Sequence, residues 1–432
     1  MLRQRRAMAA GTILALVTAF AGCGGGAESA RSVTSSPQCA PDNAGLQLPD
    51  GFCALVVADG LGRARHLTVA PNGDIFVAVA GSRTGGPGGV VALRDTTGDG
   101  VTDLRVRFGD AGGTGIALRD GYLYLAPNWG VLRYPLASGE LRPSGPPDTI
   151  VSGLPETGNH TAKSIAFGSD GALYVNHGSA SNACQVQTRT AGSPGQDPCP
   201  ELEVRAGIWR YDANRVGQTQ ADGVRFATGI RNAVGLAYHD GQLYATQHGR
   251  DQLFQLWGAL YDAQRGADLP AEEMLEVNQG DDFGWPYCYY DQNLAQRVLA
   301  PEYGGDGEKT GRCSDKKRPI EAFPGHWGPD GLLFYTGTQF PETYRGGAFI
   351  AFHGSWNRAP LPQAGYNVTF VPFQSDQVSG DYEVFADGFA SGQKDPRNAA
   401  HRPSGLGLGP DGSLYVSDDT GGTIYRIIYR GG

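Results

Sequence analysis

Three observations predict that this chain is all-β and closes into a six-bladed β-propeller. Glycine is abundant, at 66 of 432 residues, and few segments carry the 3.6-residue apolar period of a helix. A turn-and-strand unit recurs six times, as PNGDIFVA at 71–78, RDGYLYLA at 119–126, SDGALYVN at 169–176, HDGQLYAT at 239–246, PDGLLFYT at 329–336 and PDGSLYVS at 410–417. In each, Asn-Gly or Asp-Gly supplies the positive-φ positions of a tight turn, and the alternating aliphatic and aromatic residues that follow suit a pleated, half-buried surface. The glycines of these turns, Gly73, Gly121, Gly171, Gly241, Gly331 and Gly412, lie 48, 50, 70, 90 and 81 residues apart. The shorter gaps match one four-stranded blade and the longer ones carry insertions. Two sandwiched sheets with fortuitous repeats are the competing architecture.

Residues 1–23 read as an export signal, because Arg3, Arg5 and Arg6 precede a mostly apolar stretch from Ala7 to Ala21 that is too short to span a bilayer. Its end, Phe20-Ala21-Gly22-Cys23, resembles a lipobox, in which the cysteine is lipidated; free secretion after simple cleavage is the alternative, since Phe20 stands where leucine is usual. The Gly, Ser, Thr and Pro content of the segment after it suits a flexible tether, taken as 24–45, before a propeller over 46–432. A periplasmic or cell-envelope location is expected, with the lipid as the membrane link. Cysteine usage agrees: setting Cys23 aside leaves an even six, Cys39, Cys53, Cys184, Cys199, Cys288 and Cys313. Six cysteines allow fifteen connectivities, of which sequential pairing, each pair closing a surface loop, is the simplest.

The formal charge is −9, and the 35 basic residues less the three signal arginines leave 32 against 44 acidic, a balance of −12 that disfavours nucleic acid as a partner. In the propeller region, four units follow a small-apolar strand (HLTVA, SIAFG, VGLAY, GLGLG), as innermost strands crowded around an axis require. Closure of the ring needs a partner for the last edge, and Phe52-Cys53-Ala54-Leu55-Val56-Val57 is available to join Thr423-Ile424-Tyr425-Arg426-Ile427. Only the segment near Leu269 to Val277 looks helical.

A propeller carries its site at one mouth of the channel, so the residues just before each innermost strand are the candidates. They are Arg65-His66, Asn159-His160 with Lys163, Arg231-Asn232, His326 and His401-Arg402. For each alone a salt bridge or surface cap suffices. Their common phase points to a compact ligand with several negative groups, held by charge-assisted hydrogen bonds.

These residues resemble the soluble quinoprotein aldose and sorbosone dehydrogenases, six-bladed propellers that bind pyrroloquinoline quinone (PQQ) with calcium. The landmarks are GNHTAKSIAFG at 158–168, GIRNAVGL at 229–236, HGRDQL at 248–253, DDFGWPYCY at 281–289, FHGSWNR at 352–358 and HRPSGL at 401–406. The resemblance implies oxidation of a sugar, hydrated aldehyde or related alcohol, with electrons passed to an external acceptor. It implies His160 as the base that takes the substrate hydroxyl proton, and Arg231 and Asn232 as cofactor contacts, Arg231 also stabilising developing charge. His326, Arg358 and Arg402 fall in segments that line the family's cofactor pocket, and Arg65 joins them as a cofactor-binding candidate. The main-chain carbonyls of Gly249 and Arg250 correspond to calcium ligands, and Glu272 and Glu273 to a further structural calcium site; two solvated carboxylates opening a short helix are the alternative for the latter.

The chain departs from the glucose-oxidising members at three places. Asn159 and Ser179 stand where those carry carboxylates around the histidine, and His248 where they have glutamine. The departures imply a less strongly oriented His160 and a sorbosone-like rather than glucose substrate. A calcium-dependent hydrolase or lactonase would need a ring of carboxylate, Asn and His side chains around an axial metal, whereas the rim is richer in Arg and His than in carboxylates; a non-catalytic binding lipoprotein would be expected to show exposed apolar patches and to lack His160.

Overall fold

The computed structural model describes residues 37–81 and 87–431. The expected export signal, its lipobox Cys23 and most of the expected tether lie outside the described residues. The fold begins slightly earlier than 46: the Ala40 N–H donates to the Ala54 carbonyl, residues Asn43–Gly45 make a 3-10 turn, and Cys39 is bonded to Cys53.

Among the described residues six blade sheets, antiparallel apart from one pair in blade 2, surround one axis. Their innermost strands are Arg63–Val69, Gly113–Arg119, Ile165–Phe167, Gly235–His239, Pro329–Phe334 and Pro403–Leu408, in blades 1 to 6, and each touches its neighbours round the ring, the sixth packing on the first. Four strands complete most blades, and blade 2 gains a fifth, Gln218–Thr219, which pairs in parallel with Asp148–Ser152. Closure is as the sequence predicts: Phe52–Ala58 pairs antiparallel with Ile424–Tyr429, so an N-terminal strand is the outer strand of the last blade. Phe52 anchors this joint, its ring packing on Phe340, Tyr344, Phe385 and Tyr429 at 4.8–5.4 Å between centroids.

Two sequence expectations are corrected. The fifth repeat is out of phase: Pro329–Phe334 is itself the innermost strand of blade 5, paired with Ala348–Phe352, and the positive-φ glycine of that turn is Gly346 at φ 77°. Gly331 serves packing instead, since a Cβ there would stand 2.8 Å from the Ser404 carbonyl of blade 6. The segment expected to be helical is a strand, Glu272–Val277, between Gln242–Gln247 and Glu321–Phe323 in blade 4. Helix occurs just before it, at Leu253–Leu256 and Ala263–Asp268, and stops ahead of Pro270, which has no N–H to donate. Met274, Leu275 and Val277 are buried in the sheet, so tertiary packing overrides local preference here.

All three disulfides join sequential cysteines, 39–53, 184–199 and 288–313, which fits an exported chain. They are not surface staples. Cys184, Cys199, Cys288 and Cys313 are buried, and Cys53 lies in the closing strand.

Candidate active site

Antiparallel pairing places the start of each innermost strand and the end of the strand that follows it at the same rim. A cavity of about 570 Å³ opens there, lined by residues from all six blades. Of the expected site residues, Arg65, Asn159, His160 and Asn232 line it, joined by Arg63, Thr114, Asn128, Asp330, His353 and Asp419.

His160 is held by one ring nitrogen. Its Nδ1 lies 3.0 Å from the Ser179 carbonyl oxygen and 2.9 Å from Ser179 Oγ. A carbonyl only accepts, and the Ser179 hydroxyl donates its own hydrogen to the Ser181 carbonyl at 2.7 Å, so Nδ1 carries the proton and donates. No described protein group bonds Nε2, which is left as the lone-pair nitrogen. Burial, followed by the nearby Arg231 charge, holds the imidazole well below its ordinary pKa, so the ring is neutral at neutral pH. Ser179 therefore orients the His160 ring.

Across the cavity an ion network joins four blades. Arg65 donates to Asp419 at 2.8 Å and faces Asp330 at 3.1 Å; His248 lies 3.0 Å from Asp330 and His353 lies 2.7 Å from Asp419. Burial alone would raise both carboxyls, but Arg65 and the imidazoles outweigh it and hold them well below the carboxylate range. His248 is raised in turn, burial being outweighed by Asp330. The Arg63 side chain is 44 % exposed, lines the cavity and stands 3.8 Å from Asp419. Asn232 is buried and its Oδ1 has no hydrogen-bond partner among the described residues.

The other expected cofactor residues are spoken for. Arg231 donates to the Asn182 carbonyl and Oδ1, to the Gly249 carbonyl and to Asp251, all at 2.8–3.1 Å. It stands behind the cavity rather than in its wall. His326, expected to line the cofactor pocket, contacts the Gly266 and Leu269 carbonyls and Asn357 and does not reach the cavity. Arg358 likewise ties the Ala267, Gly325 and Pro362 carbonyls and Asp268 together. Arg402 donates to the His353 and Gly354 carbonyls, supporting a lining residue from one layer back.

Among the described residues no three His, Cys, Asp or Glu side chains converge as a metal site. The metal expectation for Glu273 fails, because its carboxylate is closed by Arg297 and by Gln247 at 2.9 Å. Glu272 accepts from the Gly249 and Gly328 N–H groups, and burial raises it to about 7. The carbonyl of Gly249 carries one donor, from Arg231, and keeps a second lone pair; Arg250 pairs through its side chain with Glu302.

Three of the lining residues missed from the sequence were legible by one rule. Asn128, His353 and Asp419 directly follow the second strands Tyr122–Pro127, Ala348–Phe352 and Leu414–Asp418.

The TrAA12-like family matches residues 46–430. A "Pyrroloquinoline quinone-dependent pyranose dehydrogenase" of Coprinopsis cinerea is 26% identical over 285 residues, 55% of this chain and 36% of that protein. The chain spans less than half the length of the curated relatives it matches. Among solved structures, the holo form of the PQQ domain of Coprinopsis cinerea pyranose dehydrogenase superposes with a TM-score of 0.71 at 19% identity, over 91% of this chain and 98% of that one. A calcium structure of a Trichoderma reesei family AA12 carbohydrate-active enzyme does so with a TM-score of 0.72 at 18% identity, over 92% of this chain and 99% of that one. At such identities the structural likeness establishes the shared fold.

Proposed function

Because the chain belongs to the TrAA12-like family, we propose that it is a quinoprotein dehydrogenase that oxidises a sugar, hydrated aldehyde or related alcohol, with PQQ and calcium as cofactors and an external electron acceptor. The observation that carries the reading is His160, neutral, fixed through Nδ1 and without a protein partner on Nε2, in the wall of a cavity large enough for a compact ligand. A hydrolase ring of free carboxylates is not favoured, since Asp330 and Asp419 are both consumed by Arg65 and imidazoles.

The lining fits the cofactor. The unpaired Asn232 Oδ1 needs a donor, such as a ring N–H or a sugar hydroxyl, and the partly exposed Arg63 guanidinium suits a carboxylate of the ligand. Outside that lining, the Gly249 carbonyl keeps a free lone pair that suits a hard cation, and the Arg250 carbonyl is proposed as its second ligand. When bound, the quinone supplies a hydride acceptor and calcium polarises it. The protein's own part is to bind and to move one proton: Nε2 of His160 takes the substrate hydroxyl proton, and Asn232 orients what lies beside it. Arg231 stabilises charge from behind the wall, its guanidinium held rigid by four acceptors.

Substrate choice goes to the sorbosone-like side, because Ser179 takes the place of a carboxylate at Nδ1. Export with a lipid on Cys23 completes the proposal, and Cys23→Ser should move the chain from the membrane to the soluble fraction. The decisive experiment reconstitutes purified protein with PQQ and calcium and follows dye reduction with a panel of aldoses. Wild type should reduce dye, and His160→Ala should lose at least about 10²-fold in kcat while still binding PQQ. An active wild type matched by its mutant would remove His160 from the reaction. No dye reduction and no calcium-dependent PQQ binding would point to a binding platform.

A further inference from the structure

The serine that orients His160 is itself held from behind. Ser179 Oγ serves as an acceptor for Nδ1 only because its hydrogen is committed to the Ser181 carbonyl. Were that carbonyl to move, the hydroxyl could turn and donate to Nδ1, leaving the Ser179 carbonyl at 3.0 Å as the one acceptor that keeps the proton there, and part of the ring population would carry it on Nε2, the nitrogen that must be free to act as a base. What fixes Ser181 is Glu201. Its carboxylate accepts from the Ala180 N–H at 2.6 Å, from the Ser181 N–H at 3.3 Å and from the Ser181 hydroxyl. The same hydroxyl accepts from the Cys184 N–H at 2.9 Å. Glu201 opens a 3-10 turn two residues after Cys199, and Cys199 is bonded to Cys184, three residues beyond Ser181. Both sides of the contact are therefore tied covalently as well as through charge-assisted hydrogen bonds.

We propose that Glu201 is a positioning residue for the general base: it clamps the 179–181 turn, and the clamped turn keeps His160 as the Nδ1–H tautomer with a lone pair on Nε2. The proposal rests on the reading of His160 as the base, and it deepens that reading by replacing a carboxylate at the ring with a carboxylate one turn away. A buried hydroxyl rotor has no preferred direction of its own, so control passes to whatever sets its acceptor.

The test uses the cofactor-free full chain with ¹⁵N-labelled histidine. Long-range ¹H–¹⁵N correlation reports which ring nitrogen is protonated, and His160→Ala identifies the signal. Wild type should show the Nδ1–H pattern. Glu201→Ala should give a mixture of tautomers, and after reconstitution its kcat should fall in proportion to the Nε2–H fraction that the correlation spectrum shows, with KM nearly kept. Ser181→Ala, which removes one hydroxyl, should shift in the same direction by less, and decides the matter if Glu201→Ala does not fold. Glu203→Ala, an exposed neighbour, should leave the tautomer alone. A pure Nδ1–H signal in folded Glu201→Ala, or in Ser181→Ala where that is the variant available, overturns the proposal. A shifted tautomer in Glu201→Ala together with full turnover in His160→Ala would uphold the clamp and defeat the assignment of His160 as base.

Discussion

Replacing Arg65 by leucine should weaken the ring and change how it fails in acid. The guanidinium is buried between Asp419 at 2.8 Å and Asp330 at 3.1 Å, so its loss strands two carboxylates in one cavity. Removing one partner of a buried ion pair costs about 3–5 kcal/mol. Here each carboxylate keeps an imidazole, His248 for Asp330 and His353 for Asp419, and the cavity admits water, which argues for the lower end, about 3 kcal/mol at pH 7. The sign with pH follows from linkage. Both aspartates have folded pKa values below the unfolded value of about 3.9, so their contribution is complete above that value and is lost as pH falls toward the folded pKa. In Arg65→Leu the carboxyls titrate higher, so acid unfolding should begin at higher pH, and the stability gap to wild type should shrink below about pH 4 as wild type loses the same contribution. Urea unfolding followed by tryptophan fluorescence at several pH values measures both. Adding Asp330→Asn should recover part of the loss, because one stranded charge is removed, and the double-mutant cycle should give a coupling of at least about 1 kcal/mol. A gap under about 1 kcal/mol at pH 7, or one that does not change with pH, would show that Arg65 is held for its ligand and not for the ring.

Three further outcomes are expected. Cys184→Ser with Cys199→Ser opens a loop of sequence separation 15 and should cost about 3 kcal/mol, with non-reducing peptide maps giving the pairing directly. Lys163 is buried, its ammonium held by the Pro155 and Thr161 carbonyls, and burial lowers it to about 7. The unfolded chain then binds the extra proton from about pH 7 to about 10.4, so wild-type stability relative to Lys163→Met should rise with pH across that window, by at most about 1.4 kcal/mol per unit; a gap that stays flat between pH 7 and 9 defeats the assignment. Phe52→Ala should cost about 3–5 kcal/mol by emptying the aromatic cluster at the ring closure, measured by denaturant midpoint, and a loss below 1 kcal/mol would mean that the strand pairing alone closes the propeller.

The fold was legible because its punctuation is chemical. Gly73, Gly121, Gly171, Gly241 and Gly412 all sit at positive φ in the turns where Asn-Gly or Asp-Gly predicts them. The fifth repeat misleads because Pro-Asp-Gly can also begin an innermost strand. What distinguishes Pro329-Asp330-Gly331 is the sequence before it: the true turn units follow a small-apolar strand, while this one follows Phe323-Pro324-Gly325-His326-Trp327. The turn it displaces, Arg345-Gly346-Gly347 before AFIAF, lacks the Asx residue that makes the others visible. The strand at Glu272–Val277 was hidden for another reason, since Glu-Glu-Met-Leu-Glu favours helix locally and only pairing on both sides makes it a strand.

The site was legible in its phase but not in its economy of charge. Counting cations at the starts of the innermost strands finds the correct rim, and His160, Asn232 and Arg65 do line the cavity. It overstates the positive charge a ligand would meet, because the same antiparallel pairing brings the ends of the second strands to that rim, and those ends carry the neutralising partners. Asp419 and His353 arrive this way, and Asp330 stands at the start of blade 5 where only His326 was considered. Arg231, Arg358 and His326 are then spent on carbonyls that hold long insertions, a role that no spacing reveals because the carbonyls come from loops. What a ligand meets is more directional than a ring of cations: among the described residues it includes the partly exposed Arg63 guanidinium, the unpaired amide oxygen of Asn232 and the imidazole lone pair of His160, beside Asn128, Asn159 and Thr114 in the same wall. A cavity so equipped selects by the direction of hydrogen bonds more than by charge, which is the discrimination that a polyhydroxylated substrate requires.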